Sequence, residues 1–170
     1  MSECFFEVIR PGINTTFQDT GRFHMQHLGV TPGGCMDLAS FSIANALVKN
    51  LSNEGALEFA YQGPLLKLTK GKTKFAIAGN AIFQIIKSNN KTINGECNRS
   101  YDLDEGDQLD ILATKESVYG YLSIEGGFAI KSFYGSISTL PRGSIGPNDG
   151  KKIKIKDKIY LGTVCDLPFI

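Results

Sequence analysis

The chain has 170 residues, 42% of them hydrophobic and 21% charged, and its 18 basic and 17 acidic side chains leave a formal net charge of +1. That length is the range of one domain, and so even a charge balance excludes recognition of nucleic acid or an anionic membrane by long-range attraction. No run approaches the ~18 apolar residues of a membrane span, and Cys4, Cys35, Cys97 and Cys165 form no CxxC pair, which argues against zinc binding and a dense disulfide framework.

The N-terminal MSECFFEVIRPG carries an acid early and has neither the basic start nor the apolar core of a signal peptide. A cytoplasmic protein with reduced thiols and no bound metal is expected.

Phe5 to Arg10 reads as a short apolar strand closed by the turn signal Pro11-Gly12. The run from Pro11 to Asn50 is polar and punctuated by Gly12, Gly21, Gly29, Gly33 and Gly34. Within it Thr15, Thr16, Gln18, Asp19, Arg22, His24, Gln26, His27, Asp37 and Asn45 supply donors, acceptors and charge. An irregular stretch of such length is functional or disordered. Phe17, Phe23, Met25, Leu28 and Val30 would anchor it to a body, which points to a site loop.

Asp37 has the position of a helix N-cap, and Leu38 to Lys49 carries a helical stripe, with Phe41, Ala44 and Val48 at i, i+3 and i+7. Asn45 lies at the margin of that stripe, where its amide needs a neighbouring backbone group or a ligand.

From Leu57 onward the hydrophobic period shortens to two, through ALEFAY, PLLKLT, KFAIAG, AIFQII, QLDILA, VYGYLSI and KIKIKDKIYL. Seven or eight strands joined by short turns favour antiparallel pairing in a small barrel or sandwich. The five lysines between Lys151 and Lys158 alternate with Ile153 and Ile155, the pattern of a solvated strand face or a lysine-protected edge. Between these strands, Glu125 to Gly150 forms a second Gly/Ser-rich loop. Its Gly126-Gly127 and Gly135 to Thr139 offer N–H groups and hydroxyls that suit an anion or carbonyl oxygen, and suit a plain cluster of surface turns equally well.

Most familiar chemistry is absent from this pattern. GPNDGKK lacks the G-x-x-x-x-G-K-[ST] spacing of a phosphate loop. His24 and His27 have no third ligand placed with them, and no G-x-S-x-G elbow supports a Ser/His/Asp triad. Cys35, beside the Asp37 cap, is either a thiol activated by a helix terminus or a small residue in a tight turn. Asp19 and Arg22, separated by Thr20-Gly21, can bond each other and lock the loop, or divide between two substrate groups.

These residues carry a resemblance. The segment PGINTTFQDTGRFHMQHLGVTPGGCMDLASFSIANALVKN, followed by EGALEFAYQGPLL, KFAIAGN, EGDQLDIL, GYLSIEGGF and YGSIST, is similar to the subdomain A and B carboxyltransferase family. This allophanate hydrolase subunit 2 type family includes the C-type subunit of 5-oxoprolinase, the Kip sporulation-kinase antagonist and a domain of urea carboxylase. The elements Q-D-x-G-R, M-D, A-N-x-L-V-x-N, L-E, Y-L-x-x-x-G-G and G-S-x-S-T all stand in the family's order.

The resemblance implies a mostly β (α+β) fold, an antiparallel cyclophilin-like β-barrel lobe with one main helix. It implies catalytic positions at Gln18, Asp19 and Arg22, and substrate-binding positions at Asp37, Asn45, Glu58, Ser136, Ser138 and Thr139. It also implies ATP dependence and partners resembling the B-type (Kip inhibitor-like) and A-type subunits of 5-oxoprolinase, with a small lactam or amide as substrate. Arg22 would take the substrate carboxylate, Asp19 and Gln18 would orient it, and Ser136, Ser138 and the backbone near Gly135 would supply oxyanion donors.

Two departures stand out. Ile137 occupies the place of the family's usual arginine in G-S-R-S-T, and residues 1–170 correspond to a single lobe where relatives continue into a second one of similar size. The leading expectation is a component of an ATP-dependent 5-oxoprolinase. The alternatives are carboxyl transfer to a urea-like amide and noncatalytic binding that antagonises a partner protein. A lone lobe is also expected to oligomerise or bind a partner.

Overall fold

The computed structural model describes residues 4–163. In chain order the strands are β1 (Phe5–Arg10), β2 (Asn14–Gln18), β3 (Ala56–Ala60), β4 (Leu65–Lys70), β5 (Thr73–Gly79), β6 (Ala81–Ile86), β7 (Thr92–Asn94), β8 (Ser100–Leu103), β9 (Gln108–Thr114), β10 (Tyr119–Ile124) and β11 (Lys158–Tyr160). Helix α1 (Leu38–Leu47) lies between β2 and β3.

The strands form two antiparallel sheets, one in the order β11-β1-β4-β9-β6-β7 and the other β2-β3-β10-β5-β8. The alternation seen in the sequence decides which side chains meet. Phe6, Val8, Leu66, Leu68, Phe83, Ile85, Leu109 and Ile111 of the first sheet pack against Phe17, Leu57, Phe59, Phe75, Ile77, Leu122 and Ile124 of the second in one buried cluster. The result is the expected mostly β, barrel-like lobe with one main helix.

The second sheet is covered on its outer face as well. There Phe41 and Ala44 of α1 pack on Ala56, Ala78 and Tyr121, which is why β5 reads as a nearly continuous apolar run. The Asp37 carboxylate caps α1 by accepting from the amides of Ala39 and Ser40 at 3.0 and 3.1 Å, the expected N-cap.

Three local readings need correction. The polar NTTFQ forms β2, so the irregular segment begins after Gln18; Thr15 and Phe17 pair with Phe59 and Leu57 of β3, a neighbour invisible from the segment's own polarity. The short polar strands β7 and β8 carried no period-two signal. In the lysine-rich run, only Lys158 to Tyr160 is a strand, at the sheet edge beside β1. Upstream of it, Asp157 N–H donates to Lys154 O and Lys156 has φ of 68°. That turn breaks the alternation, leaving Ile153 buried and Ile155 exposed. Cys165 lies outside the described residues. Among those described, no helix is long and apolar enough to cross a membrane.

Candidate functional site

Gln18 ends β2, Asp19 starts the irregular segment, and the second Gly/Ser loop lies against both. The Asp19 carboxylate accepts from Gly21 N–H at 2.8 Å, from the Ser136 hydroxyl at 2.6 Å and from Ile137 N–H at 2.8 Å. Gln18 Oε1 accepts from the Ser138 hydroxyl at 2.5 Å. Its Nε2 donates to Thr16 Oγ1 and to Thr139 O at 3.0 and 3.2 Å. Ser138 Oγ in turn accepts from Gly34 N–H at 2.8 Å. Six of the nine candidates, Gln18, Asp19, Arg22, Ser136, Ser138 and Thr139, therefore form one buried polar network spanning more than 110 positions of sequence.

Arg22 is only 1% exposed. Its Nε donates to Phe133 O at 3.4 Å and its Nη2 to Ser138 O. Nη1 is buried and has no hydrogen-bond partner among the described residues. Burial lowers the guanidinium's affinity for its proton, and the negative charge of Asp19 works in the opposite direction. The direct Asp19–Arg22 bond does not form; each side chain reaches across to the second loop instead. A methyl group built at Gly33, where φ is +64°, would lie 3.0 Å from Ser138 Oγ and 3.4 Å from Arg22 Nη1. Glycine thus keeps the space beside the unpartnered nitrogen free.

The second-loop hydroxyls were expected to be oxyanion donors. Each serine has one hydroxyl proton, and Ser136 spends its proton on Asp19 and Ser138 on Gln18. Those two protons are thus already taken by the protein's own carboxylate and carboxamide, whereas the buried Thr139 hydroxyl has no partner among the described residues. The Ile137 side chain packs against the barrel core and occupies the space a Cβ would need at Gly55, so this position is apolar filling in the lobe.

Glu58 and Asp37 belong to a second, adjacent network on the outer face of the sheet. Glu58 and Tyr121 are register partners in β3 and β10. The Tyr121 hydroxyl donates to Glu58 Oε2 at 2.6 Å and accepts from Asp37 N–H at 2.7 Å. Glu58 Oε2 also accepts from Met36 N–H at 2.7 Å. Burial raises the Glu58 pKa against the lowering effect of these bonds. Burial, followed by Glu58, pushes the Tyr121 phenol up as well. Asp37 is held below its ordinary value by hydrogen bonds from Ser40. Cys35 is pushed up to about 11 by burial and then by Glu58, the direction opposite to an activated thiol.

Asn45 sits elsewhere. Eight residues along the helix place it about 12 Å from Asp37, where its amide donates to Glu54 O at 2.8 Å and accepts from Asn50 at 3.2 Å. Asn50 then bonds Ile124 O and Gly126 N–H. Asn45 braces the helix end, with its amide satisfied by the protein. His24 and His27 are exposed, and among the described residues no group of three or more His, Cys, Asp or Glu could hold a metal ion. Sequence reasoning passed over Tyr121 and took Gly33 only as one of the loop's punctuating glycines. The signal for Tyr121 was its place in Y-L-x-x-x-G-G.

The family described as carboxyltransferase domain, subdomain A and B, matches residues 28–167. The chain belongs to this family. Among carboxyltransferase-domain relatives, the urea amidolyase of Lachancea kluyveri is 36% identical over 159 residues, covering 93% of this chain and 8% of that protein. The C-type subunit of 5-oxoprolinase from Escherichia coli is 28% identical over 156 residues, 92% of this chain and 49% of the relative. The chain thus spans about half of that bacterial protein and a small part of the amidolyase. The crystal structure of Kluyveromyces lactis urea carboxylase superposes with a TM-score of 0.85 at 34% identity, covering 99% of this chain and 15% of the larger one.

Proposed function

We propose that this chain is the substrate-holding lobe of an ATP-dependent 5-oxoprolinase, acting with partners of the B-type and A-type subunits to open 5-oxoproline to glutamate. The observation that carries the proposal is Arg22: a buried guanidinium fixed through Nε and Nη2, with Nη1 left over beside Gly33. A carboxylate supplied by a small ring would satisfy that nitrogen with a charge-assisted bond. Gln18 and Asp19 hold the second loop whose carbonyls fix the guanidinium, so they position Arg22. With their protons committed, Ser136 and Ser138 do the same.

ATP enters by family resemblance, and the glycine- and lysine-bearing loop at 146–152 does not fit it. The Gly146-Pro147-Asn148-Asp149-Gly150 stretch is a turn with Asn148 and Asp149 at φ of 54° and 56°, with an acid in place of a phosphate-binding amide nest. Lys152, which follows it, donates to Ile13 O at 3.0 Å. No step through the nucleotide is assigned to this lobe.

Carboxyl transfer to a urea-like amide is a second reading, favoured by the higher identity to urea amidolyase, 36% against 28% for the bacterial 5-oxoprolinase component. Reconstitution with partner subunits separates the readings. ATP-dependent glutamate release from 5-oxoproline is expected. Urea-dependent ATP turnover with a biotin carrier would transfer support to the second reading, and tight complex formation without either turnover would favour noncatalytic binding.

A further inference from the structure

We propose that Tyr121 is a positioning residue for the segment that carries Arg22, acting through Glu58; the proposal rests on reading Arg22 as the ligand-binding group. Four successive amides on the returning limb of that segment are each docked on a different acceptor. Gly34 donates to Ser138 Oγ, Cys35 to Asp19 O, Met36 to Glu58 Oε2 and Asp37 to Tyr121 Oη, at 2.8, 2.9, 2.7 and 2.7 Å. The first two acceptors belong to the network around Arg22. The last two are the register-paired Glu58 and Tyr121 on the middle strands of the sheet.

The limb is therefore a short rod of four residues, tied at one end to the arginine's surroundings and at the other to the sheet. Its near end also holds the start of the segment, because Arg22 N–H donates to Pro32 O at 2.8 Å and Cys35 N–H meets Asp19 O. The Tyr121 hydroxyl is the one group that touches both the rod, at Asp37, and the other sheet-borne acceptor, Glu58. Its ring packs edge-on against Phe41 with centroids 6.0 Å apart. Phenylalanine at 121 keeps that packing and removes only the bridge.

The test combines amide hydrogen exchange with kinetics of the reconstituted complex on 5-oxoproline. In Tyr121→Phe, amides of Arg22, Cys35, Met36 and Asp37 are expected to exchange at least about tenfold faster, since the hydroxyl's two bonds, from Asp37 N–H and to Glu58, are both lost, while β5 amides keep their protection. The KM for 5-oxoproline is expected to rise by a similar factor with kcat nearly unchanged, since a mispositioned ligand group weakens binding in ground and transition states alike. Glu58→Gln, which keeps an acceptor oxygen for Met36 and Tyr121, is expected to preserve limb protection that Glu58→Ala loses. Unchanged limb exchange in Tyr121→Phe, or equal loosening of β5 and the limb, would overturn the proposal. Absence of 5-oxoproline turnover in the wild-type complex would sink the oxoprolinase reading alone, and the exchange arm would still decide the role of Tyr121.

Discussion

Replacing Asp19 by alanine removes the acceptor for three donors at once, Gly21 N–H, Ser136 Oγ–H and Ile137 N–H, at a carboxylate that is 8% exposed. Bonds to a charged group contribute about 1.5–3 kcal/mol each, and an orphaned buried donor costs about 1–3 kcal/mol. Of the three bonds only that of Ile137 is partly open, so water can replace that one. Loss of the negative charge near buried Arg22 adds to the cost. Together these give a destabilisation of about 3–5 kcal/mol, or about 10 °C in Tm for a chain of this size. Asp19→Asn retains Oδ1 for Gly21 and Ser136 but turns an NH2 toward Ile137 N–H, so about half that loss is expected. Thermal unfolding followed by circular dichroism reads both. A shift under about 2 °C for Asp19→Ala, the behaviour of a solvated surface acid, would refute the claim that this carboxylate ties the two loops.

Other expectations follow from the same geometry. Gly33→Ala places a methyl 3.0 Å from Ser138 Oγ at a φ of +64°. It should cost about 1–2 kcal/mol in urea unfolding and weaken 5-oxoproline binding by the complex; unaltered affinity would mean the space beside Arg22 Nη1 is not used. With its pKa pushed up to about 11, Cys35 should react with iodoacetamide at pH 7 more than about a hundredfold slower than a free thiol, and mass spectrometry showing equal rates would contradict the burial described here. Asp37→Ala should cost about 1 kcal/mol as a lost N-cap. Because the folded-state pKa of Asp37 is depressed, that contribution is present above its unfolded value and disappears as pH falls through the folded one, so wild type and variant should converge in acid. Glu58 runs the other way: with its folded pKa raised, stability falls as pH climbs from the unfolded value of about 4.3 through the folded one. Glu58→Gln should flatten that slope in denaturation at successive pH values, and an unchanged slope would count against it.

The helix and most strands were legible because each rests on local signals: a capping aspartate before a 3.6-residue stripe, then period-two runs separated by Gly, Pro and Asn. β2 escaped because its evidence lies in the strand beside it, where Thr16 pairs with Glu58 and Phe17 with Leu57. The convergence of Asp19 with Ser136, which lie 117 positions apart, was accessible only through the motifs shared with the carboxyltransferase domain. What those motifs could not convey was how donors and acceptors are spent. Asp19 and Arg22 look like an ion pair three residues apart, yet each finds better-placed partners on the second loop, and the hydroxyls expected to await an oxyanion already serve Asp19 and Gln18. Asn45 had two open readings, backbone or ligand, and the Glu54 carbonyl and Asn50 resolve it toward bracing.

The central claim is that Arg22 Nη1 meets an anionic group of the substrate. Its most direct measurement is kcat/KM for 5-oxoproline in the reconstituted complex carrying Arg22→Ala, with and without added guanidinium ion. A loss of about a hundredfold is predicted, the scale of one bond between charged groups, with partial recovery when guanidinium refills the space. Turnover that survives the substitution intact would contradict it.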